Sequence, residues 1–284
     1  MNKREWNRGT VMTVNPLSNF TVRVLSVGHV ELDVHQWLIP KSNSLYWSIY
    51  VPGNEGLELG TGKGALQVSP GSIAVVPPEA SAARDNKAEL KSLFLHFDIG
   101  GVTGVHLSNR LDKIVSVSSQ KFLSQIAEIE EAICTEDTLR LQLCAQEFLS
   151  GVLADCVSSN SKRSSVSSSS KNADVQKILP AIYAIEERLN APIYHALKIS
   201  EMASLCELKP VDFSRIFLKA MEQNPSEYAH KRRIAIAVQQ LLFTGKSIDE
   251  VSASMSFANR FYFSRMFKEA IGVTPAAYRA AFRM

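Results

Sequence analysis

The feature that most constrains the fold of this 284-residue chain is an internal repeat near its C-terminus. FSRIFLKAMEQNPSEY (213–228) aligns with FSRMFKEAIGVTPAAY (263–278) at an offset of 50 residues. Upstream, ISEMA (199–203) matches IDEVS (248–252) at an offset of 49. Self-similarity at a fixed period indicates one supersecondary unit that is used more than once. We therefore expect two similar units, with one residue gained or lost in the turn within them.

Each copy has the apolar pattern of a helix, a turn and a second helix. In the second helix, aromatic residues recur at a four-residue spacing, so they share one stripe that we predict to be buried. These residues are Phe213 and Phe217 in the first copy and Phe263 and Phe267 in the second. An α-helix fits the major groove of duplex DNA, where it can contact base edges. The sequence therefore predicts two helix-turn-helix units, at about residues 199–220 and 248–270.

The opposite face of each second helix carries the candidate DNA-contacting residues. The same Ser-Arg pair recurs on this face in both copies, and Arg can make a bidentate contact to guanine. A solvated charged face is the alternative for any one residue, but the recurrence of the pair favours DNA contact. Asn259 has two interpretations, a helix cap and a contact. The full predicted set is Val211, Ser214, Arg215, Asn259, Arg260, Phe261, Ser264, Arg265 and Lys268.

The segment between the two copies predicts a long connecting helix. Asn224 is a typical N-cap residue, Pro225 suits a first helical turn, and Glu227 completes a capping box. The helix would run to Thr244, and Gly245 provides a stop. A helix of roughly 18 residues spans about 27 Å. Such a strut could hold two recognition helices near the ~34 Å that separates successive major-groove turns.

A serine-rich segment, SSNSKRSSVSSSSK at 158–171, divides the chain, and the formal charge changes sign across it. Residues 174–284 hold 15 Lys and Arg against 11 Asp and Glu, whereas residues 1–157 hold 13 against 17. The basic C-terminal part favours a polyanionic partner. We therefore predict two domains, 1–157 and 174–284, joined by a flexible linker at 158–173. A surface loop inside one domain is the alternative.

The N-terminal part changes its apolar period along its length. Residues 20–98 contain short β-rich runs separated by Gly, Pro or Asn, which predicts an antiparallel sandwich or barrel. Residues 119–157 instead repeat apolar residues every three to four positions, which predicts two amphipathic helices. Two roles are open for this helical pair: a dimer interface, and packing against its own β domain.

The C-terminal part, about 110 residues, strongly resembles the DNA-binding domain of the AraC/XylS family of bacterial regulators. The resemblance is carried by Ala203, Phe213, Ser214, Arg215, Phe217, Tyr228, Arg233, Ala237, Leu241, Thr244, Ser247, Ile248, Phe257, Tyr262, Phe263, Ser264, Arg265, Phe267, Lys268, Gly272, Thr274, Pro275, Tyr278 and Arg279. By position, the base-contacting faces of the family fall on the set above. Glu222 and Ser256 depart from the family pattern, which usually has Gly there. If their backbones are left-handed, each costs about 1–2 kcal/mol.

The N-terminal domain resembles the cupin-like β-barrel with which many of these regulators sense a small molecule. Metal-dependent cupin enzymes need an HxH pair and a later histidine, but this chain has no HxH and has Ala82 at the later position. We therefore expect no metal and no cofactor. Ligand pockets commonly have aromatic walls. The candidate effector-binding residues are Trp37, Tyr46, Trp47 and Tyr50. In a strand, Tyr46 and Tyr50 would share one face and Trp47 would lie on the other.

The sequence thus predicts an N-terminal all-β cupin-like barrel with a helical pair, and a C-terminal all-α domain with two helix-turn-helix units joined by a long helix. The implied function is transcription regulation, by activation or repression, through double-stranded DNA and a small-molecule effector such as a sugar. A homodimer and contact with RNA polymerase are also expected. A cytoplasmic location follows from the lack of an apolar run of ~20 residues. The rival interpretations are a cupin enzyme and a regulator without an effector.

Overall fold

The structure is a computed structural model of the whole chain. The residues that it describes are 22–33, 45–61, 64–78, 84–86, 89–160 and 168–282. An N-terminal part built mainly of β-strands precedes a C-terminal part that is entirely helical in these ranges. The predicted order of a sheet domain followed by a helical domain is therefore confirmed.

Eight strands form the N-terminal part. They are β1 (Val22–Leu32), β2 (Trp47–Pro52), β3 (Leu57–Thr61), β4 (Gly64–Val68), β5 (Ser72–Val76), β6 (Arg84–Asn86), β7 (Leu90–Ile99) and β8 (Val115–Ser118). Five of them make an antiparallel sheet in the order β1-β7-β2-β5-β8, and three make a second sheet in the order β4-β3-β6. Within the described ranges the two sheets are not joined into a closed barrel, because β1 and β8 are the edges of the larger one.

Ten helices complete the described chain. They are α1 (Gly101–Arg110), α2 (Leu123–Cys134), α3 (Thr138–Asn160), α4 (Ser168–Asn190), α5 (Ile199–Leu205), α6 (Pro210–Met221), α7 (Pro225–Phe243), α8 (Ile248–Ser254), α9 (Arg260–Ile271) and α10 (Pro275–Phe282). A short 3-10 helix, Ser119–Phe122, leads into α2. The sequence had not predicted α1, whose two glycines give it a weak helical pattern.

The strands β2 and β5 of the larger sheet are buried on both faces, which explains why their sequences are mostly apolar. One face, with Trp47 and Phe97, packs against α2 and α3 through Phe148. The other face carries Tyr50, which packs against Leu57 of the smaller sheet. A strand that is covered on both sides has no solvent-facing positions, so its sequence loses the usual alternation of polar and apolar residues.

The helices α2 and α3 pack against their own sheet, which was one of the two roles left open for them. Phe148 and Val152 of α3 are fully buried in that contact. On the outer side of α3, Leu139 and Leu143 remain 68% and 63% exposed. The inner face of α3 therefore packs within the chain. Its exposed outer face is the part that could form a dimer interface.

The serine-rich segment contributes more helix than a flexible linker would. Helix α3 continues to Asn160 and α4 begins at Ser168, so both ends of the predicted 158–173 linker are helical. The hydroxyl of Ser158 donates to the carbonyl of Ala154 one turn earlier, at 2.8 Å, which satisfies a serine inside a helix. Residues 161–167 lie outside the described ranges.

A buried ionic cluster joins the sheet domain to the helical domain. Arg232 of α7 donates to both carboxylate oxygens of Asp98 in β7, at 2.9 and 3.0 Å. The same guanidinium donates to both oxygens of Glu186 in α4, at 2.7 and 2.9 Å. The hydroxyl of Tyr228 also donates to Glu186, at 2.8 Å. Arg232 thus uses its rigid fork of donors on two carboxylates at once.

Burial alone would raise the pKa of Asp98, but the charge of Arg232 and its hydrogen bonds outweigh burial, so the pKa lies below its usual value. The pKa of Glu186 is lowered by the same balance, with the hydroxyl of Tyr228 as a further donor. The pKa of Arg232 is raised well above its usual value, because the two carboxylates outweigh the effect of burial. All three groups are therefore charged at neutral pH.

We predict that Asp98→Asn destabilises the chain at neutral pH by about 3 kcal/mol, because it leaves the buried Arg232 with one carboxylate in place of two and weakens its charge-assisted hydrogen bonds. A carboxyl with a lowered folded pKa stabilises the fold above its unfolded pKa, near 4, and this contribution disappears as the pH falls through the folded pKa. The variant should therefore lose stability less steeply than the wild type between pH 5 and pH 2, as measured by urea unfolding.

The matched control is Glu131→Gln, which removes an exposed ion pair with Arg140 at 2.8 Å. This change should alter stability by less than about 1 kcal/mol. Equal losses for the two variants at neutral pH would show that the Asp98 contact does not hold the domains together.

Candidate nucleic-acid interface

The two predicted helix pairs are present as α5 with α6 and α8 with α9. The first helix of each pair begins in the same way. The backbone N–H of Lys198 donates to the carboxylate of Glu201 at 2.7 Å, and that of Ser247 donates to Glu250 at 2.7 Å. Each glutamate thus satisfies a backbone donor at a helix start, where the helix itself offers no acceptor.

Left-handed backbone conformations also repeat between the copies. The turn inside each pair contains one such residue, Glu207 with a φ of 55° and Ser256 with a φ of 51°. The second helix of each pair ends at another, Glu222 with a φ of 58° and Gly272 with a φ of 95°. The expectation that Glu222 and Ser256 occupy glycine-type positions is confirmed. A left-handed residue other than glycine costs about 1–2 kcal/mol.

Equivalent aromatic cores hold α6 and α9 in place. In the first copy Phe213 and Phe217 lie 5.6 Å apart between ring centres, and Phe217 lies 5.8 Å from Tyr228. In the second copy the corresponding Phe263, Phe267 and Tyr278 are spaced at 5.6 and 5.5 Å. The four phenylalanines are fully buried, as the sequence predicted. Each outer helix face is therefore fixed by a rigid core behind it.

The predicted contact residues lie on the face opposite this core. Val211 and Phe261 are 79% and 85% exposed. The remaining basic positions of the set, Arg215, Arg260, Arg265 and Lys268, are exposed too, whereas Ser214 and Ser264 are half-buried. The hydroxyl of Ser214 donates to the carbonyl of Pro210 at 2.9 Å. Its oxygen can still accept a hydrogen bond.

The basic side chains of this face are held by local contacts. Arg215 pairs with Asp212 at 3.1 Å, and Arg260 pairs with Asp249 at 3.0 Å. The guanidinium of Arg265 lies 5.3 Å from the ring centre of Tyr262. Exposed pairs of this kind contribute at most about 1 kcal/mol. The arginines can therefore leave these partners for a stronger anion at little cost.

Asn259 is the N-cap of α9. Its side-chain oxygen accepts a hydrogen bond from the backbone N–H of Tyr262 at 2.8 Å. Of the two interpretations left open by the sequence, the cap is the one that the geometry shows. A capping side chain satisfies one of the free N–H groups of the first turn.

Helix α7 connects the two helix pairs, as predicted. Its N-cap is Asn224, whose side-chain oxygen accepts from the backbone N–H of Glu227 at 2.8 Å. Arg233 fixes the second pair to α7, because it donates to the carbonyl of Met255 at 2.7 Å and its guanidinium lies 3.8 Å above the ring of Phe257. Arg279 donates to the carbonyl of Leu241 at 3.0 Å. At 19 residues, α7 is about 28 Å long.

The candidate effector residues are divided between two faces of the sheet, as expected from their spacing. Trp47 stacks on Phe97 at 6.0 Å on the face that α2 and α3 cover. Tyr46 and Tyr50 lie on the other face, with ring centres 4.9 and 6.3 Å from His96. All three candidates are almost fully buried. Trp37 lies outside the described residues.

Tyr46 also contacts the helical domain, and no pattern in the sequence predicts this contact. Its ring lies 5.7 Å from that of Phe243 at the end of α7. A cavity of about 300 Å³ is lined by residues of both domains, among them Trp47, Pro78 and Arg232. A second cavity, of about 400 Å³, is also lined by Arg232 and includes Arg23.

No group of three or more His, Cys, Asp or Glu side chains in the described ranges is arranged to hold a metal ion. None of the described helices combines the length and the apolar character needed to cross a membrane.

Comparisons with known proteins match the same region. A model of a helix-turn-helix domain family matches residues 202–281. The HTH-type transcriptional regulator YidL of Escherichia coli is 29% identical over 89 residues, which are 31% of this chain and 30% of YidL. The bifunctional transcriptional activator and DNA repair enzyme AdaA of Bacillus subtilis is 29% identical over 100 residues, or 35% of this chain and 47% of AdaA.

The C-terminal part is therefore similar to the helix-turn-helix domain of AraC/XylS regulators. The chain matches less than half of the length of these curated relatives. The fold likeness extends further. ToxT from Vibrio cholerae superposes with a TM-score of 0.55 at 11% identity, over 91% of this chain and 99% of ToxT. The sheet domain thus also has a structural counterpart.

We predict that Glu222→Gly stabilises the chain by about 1 kcal/mol, because glycine adopts the left-handed C-cap of α6 without strain. The equivalent position of the second copy provides the matched control. Gly272→Ala should destabilise the chain by about the same amount, since it introduces the strain that Glu222 now carries. Chemical unfolding of both variants measures whether the free energy of unfolding rises or falls in each. A loss of stability in Glu222→Gly would contradict the strain argument.

Proposed function

We propose that this protein is a transcription regulator that binds duplex DNA through two helix-turn-helix units, α5 with α6 and α8 with α9. The observation that carries the proposal is the equivalence of α6 and α9. Each is fixed from behind by the same buried aromatic core and turns an exposed face with a Ser-Arg pair to solvent. Recognition helices present such faces to the major groove.

The separation of the two units supports binding to successive turns of one DNA face. Helix α7 is about 28 Å long, and the turns that flank it add to this reach. Successive major grooves on one face lie ~34 Å apart. Arg233 and Arg279 bind α7 to the second unit, so the spacing is set by packed structure rather than by a loose connection.

The second unit should contribute more phosphate affinity than the first. Its reading helix adds the exposed cations Arg260 and Lys268 to the shared arginine. In the first unit Lys219 is instead bound to Asp174 of α4, at 2.6 Å. Each phosphate contact adds about one unit to the slope of affinity against salt concentration.

We predict that Arg215→Ala and Arg265→Ala each weaken sequence-specific binding by ~1–3 kcal/mol, because each removes a bidentate donor to a base pair. Lys268→Ala should weaken binding to all sequences alike and reduce the salt slope by about one. Footprinting and titration on the DNA upstream of the neighbouring genes measure these effects.

The matched control for these variants is Arg140→Ala, an exposed arginine of the sheet domain that pairs with Glu131. This control should bind DNA like the wild type. If the wild type protects no site on any tested promoter, DNA binding itself is refuted.

We further propose that the two sheets are a cupin-like sensor whose effector binds beside the contact between the domains. The two cavities lined by Arg232 support this proposal, because a molecule in either one touches both domains. ToxT, which shares this fold with a TM-score of 0.50 in that form, has been solved with an unsaturated fatty acid bound. A ligand in such a place can change how firmly the DNA-binding domain is held.

We predict that a true effector raises the thermal stability of the full chain. A ligand at 100 times its Kd stabilises the bound state by about 2.7 kcal/mol. A melting screen against sugars, fatty acids and other small metabolites tests this, with Asp98→Asn as a second sample in which the domain contact is weakened. If no compound class shifts the melting temperature of the wild type, the alternative of a regulator without an effector gains support.

We also propose that the protein forms a homodimer through the outer face of α3. Leu139 and Leu143, one turn apart, are among the most exposed large apolar residues described. We predict that Leu143→Glu shifts the chain towards monomer in sedimentation velocity, because it places a charge in the apolar contact. Gln142→Glu adds the same charge beside this position and should leave the dimer intact. A monomeric wild type would overturn the proposal.

A further inference from the structure

The two reading helices share a feature that their basic residues do not explain. Among the described residues, the two most exposed large apolar side chains are Phe261, at 85%, and Val211, at 79%. The two are equivalent in the repeat, since their numbers differ by 50. Each is the second residue of its helix, after Arg260 and Pro210 respectively.

Exposed apolar residues that occur singly on a surface need no explanation. These two differ because they occupy the same position of two copies whose sequences have diverged. Neither contributes to its hydrophobic core, which is filled by Phe213 in one copy and Phe263 in the other. Packing within the chain therefore gives no reason for an apolar side chain at this position.

We propose that Phe261 and Val211 read the C5-methyl groups of thymine in the major groove. The inference deepens the proposed DNA binding and rests on it. The first turn of a recognition helix is the part that contacts base edges. A side chain at this position, exposed and pointing away from its own core, is placed for such a contact.

The chemistry of the two side chains selects the base. Neither Phe nor Val can donate or accept a hydrogen bond, so neither can recognise the polar edges of guanine, adenine or cytosine. The thymine methyl is the one apolar group that the four bases present in the major groove. Phosphate contact is also excluded, because it requires a donor or a positive charge.

The repeat also predicts where the two thymines lie. Because Val211 and Phe261 are at equivalent positions of equivalent units, each should meet a thymine at the same place in its own half-site. The two thymines should then lie about one helical turn apart, near 10 base pairs. The larger Phe261 ring buries more apolar surface than Val211, so its thymine should show the stronger effect.

The experiment begins with selection of binding sites from random duplex DNA by the purified full-length protein. In the selected duplex, each thymine is then replaced singly by deoxyuridine, which removes the methyl group and keeps every hydrogen-bonding group. We expect one replacement to weaken wild-type binding about three- to tenfold through loss of contact with Phe261. A second replacement, about 10 base pairs away, should cause a smaller loss.

The Phe261→Ala and Val211→Ala variants assign each methyl group to its side chain. Phe261→Ala should be insensitive to the first replacement and remain sensitive to the second, and Val211→Ala should show the reverse. Cytosine and 5-methylcytosine in place of the first thymine form a further pair, in which the methyl should restore part of the affinity only for proteins that keep Phe261. Both side chains are exposed, so thermal melts should match the wild type.

Each contrary outcome has a distinct meaning. If deoxyuridine weakens the wild type and Phe261→Ala equally, thymine reading is overturned while DNA binding stands. If Phe261→Ala binds every duplex like the wild type but fails in transcription with purified RNA polymerase, the exposed ring serves a protein partner and the inference is wrong. If the wild type selects no sequence at all, the proposed function fails together with the inference.

Discussion

The buried contact of Arg232 with Asp98 and Glu186 is the interaction on which the arrangement of the two domains depends. Its three groups come from the connecting helix α7, strand β7 of the sheet domain and helix α4. A buried ion pair often adds little net stability, but loss of Arg232 would leave two buried carboxylates without a compensating charge. The contact therefore serves to fix the relative position of the two domains more than to add net stability to the fold. Any ligand that enters the adjacent cavities contacts Arg232.

Helix α7 also links this ionic cluster to the candidate DNA interface. Arg232 faces the sheet domain, whereas its neighbour Arg233 holds the second helix pair through Met255 and Phe257. A change in how α7 meets the sheet domain would act on a rigid body that carries both reading helices. Coupling between distant sites requires an element whose position both sites can bias. Helix α7 touches both.

Much of the candidate interface could be predicted from sequence because it is encoded locally. The aromatic stripe, the capping residues and the two turns are set by neighbours a few residues apart, and the repeat shows each of them twice. The left-handed backbone conformations of Glu222 and Ser256 could also be predicted, because the AraC/XylS pattern usually has glycine at these positions. Helix α1 and strand β8 were missed, since their short and weakly patterned sequences depend on the sheet against which they pack.

The sequence by itself determined most of the elements, their order, and the buried and exposed faces of α6 and α9. These properties follow from periodicity and from hydrogen bonds between close neighbours. Only the tertiary structure decided that Asp98 and Arg232, 134 positions apart, share one buried contact, and that Tyr46 meets Phe243. Such contacts leave no periodic trace in one sequence, because any acidic residue could pair with any arginine until the chain brings two of them together.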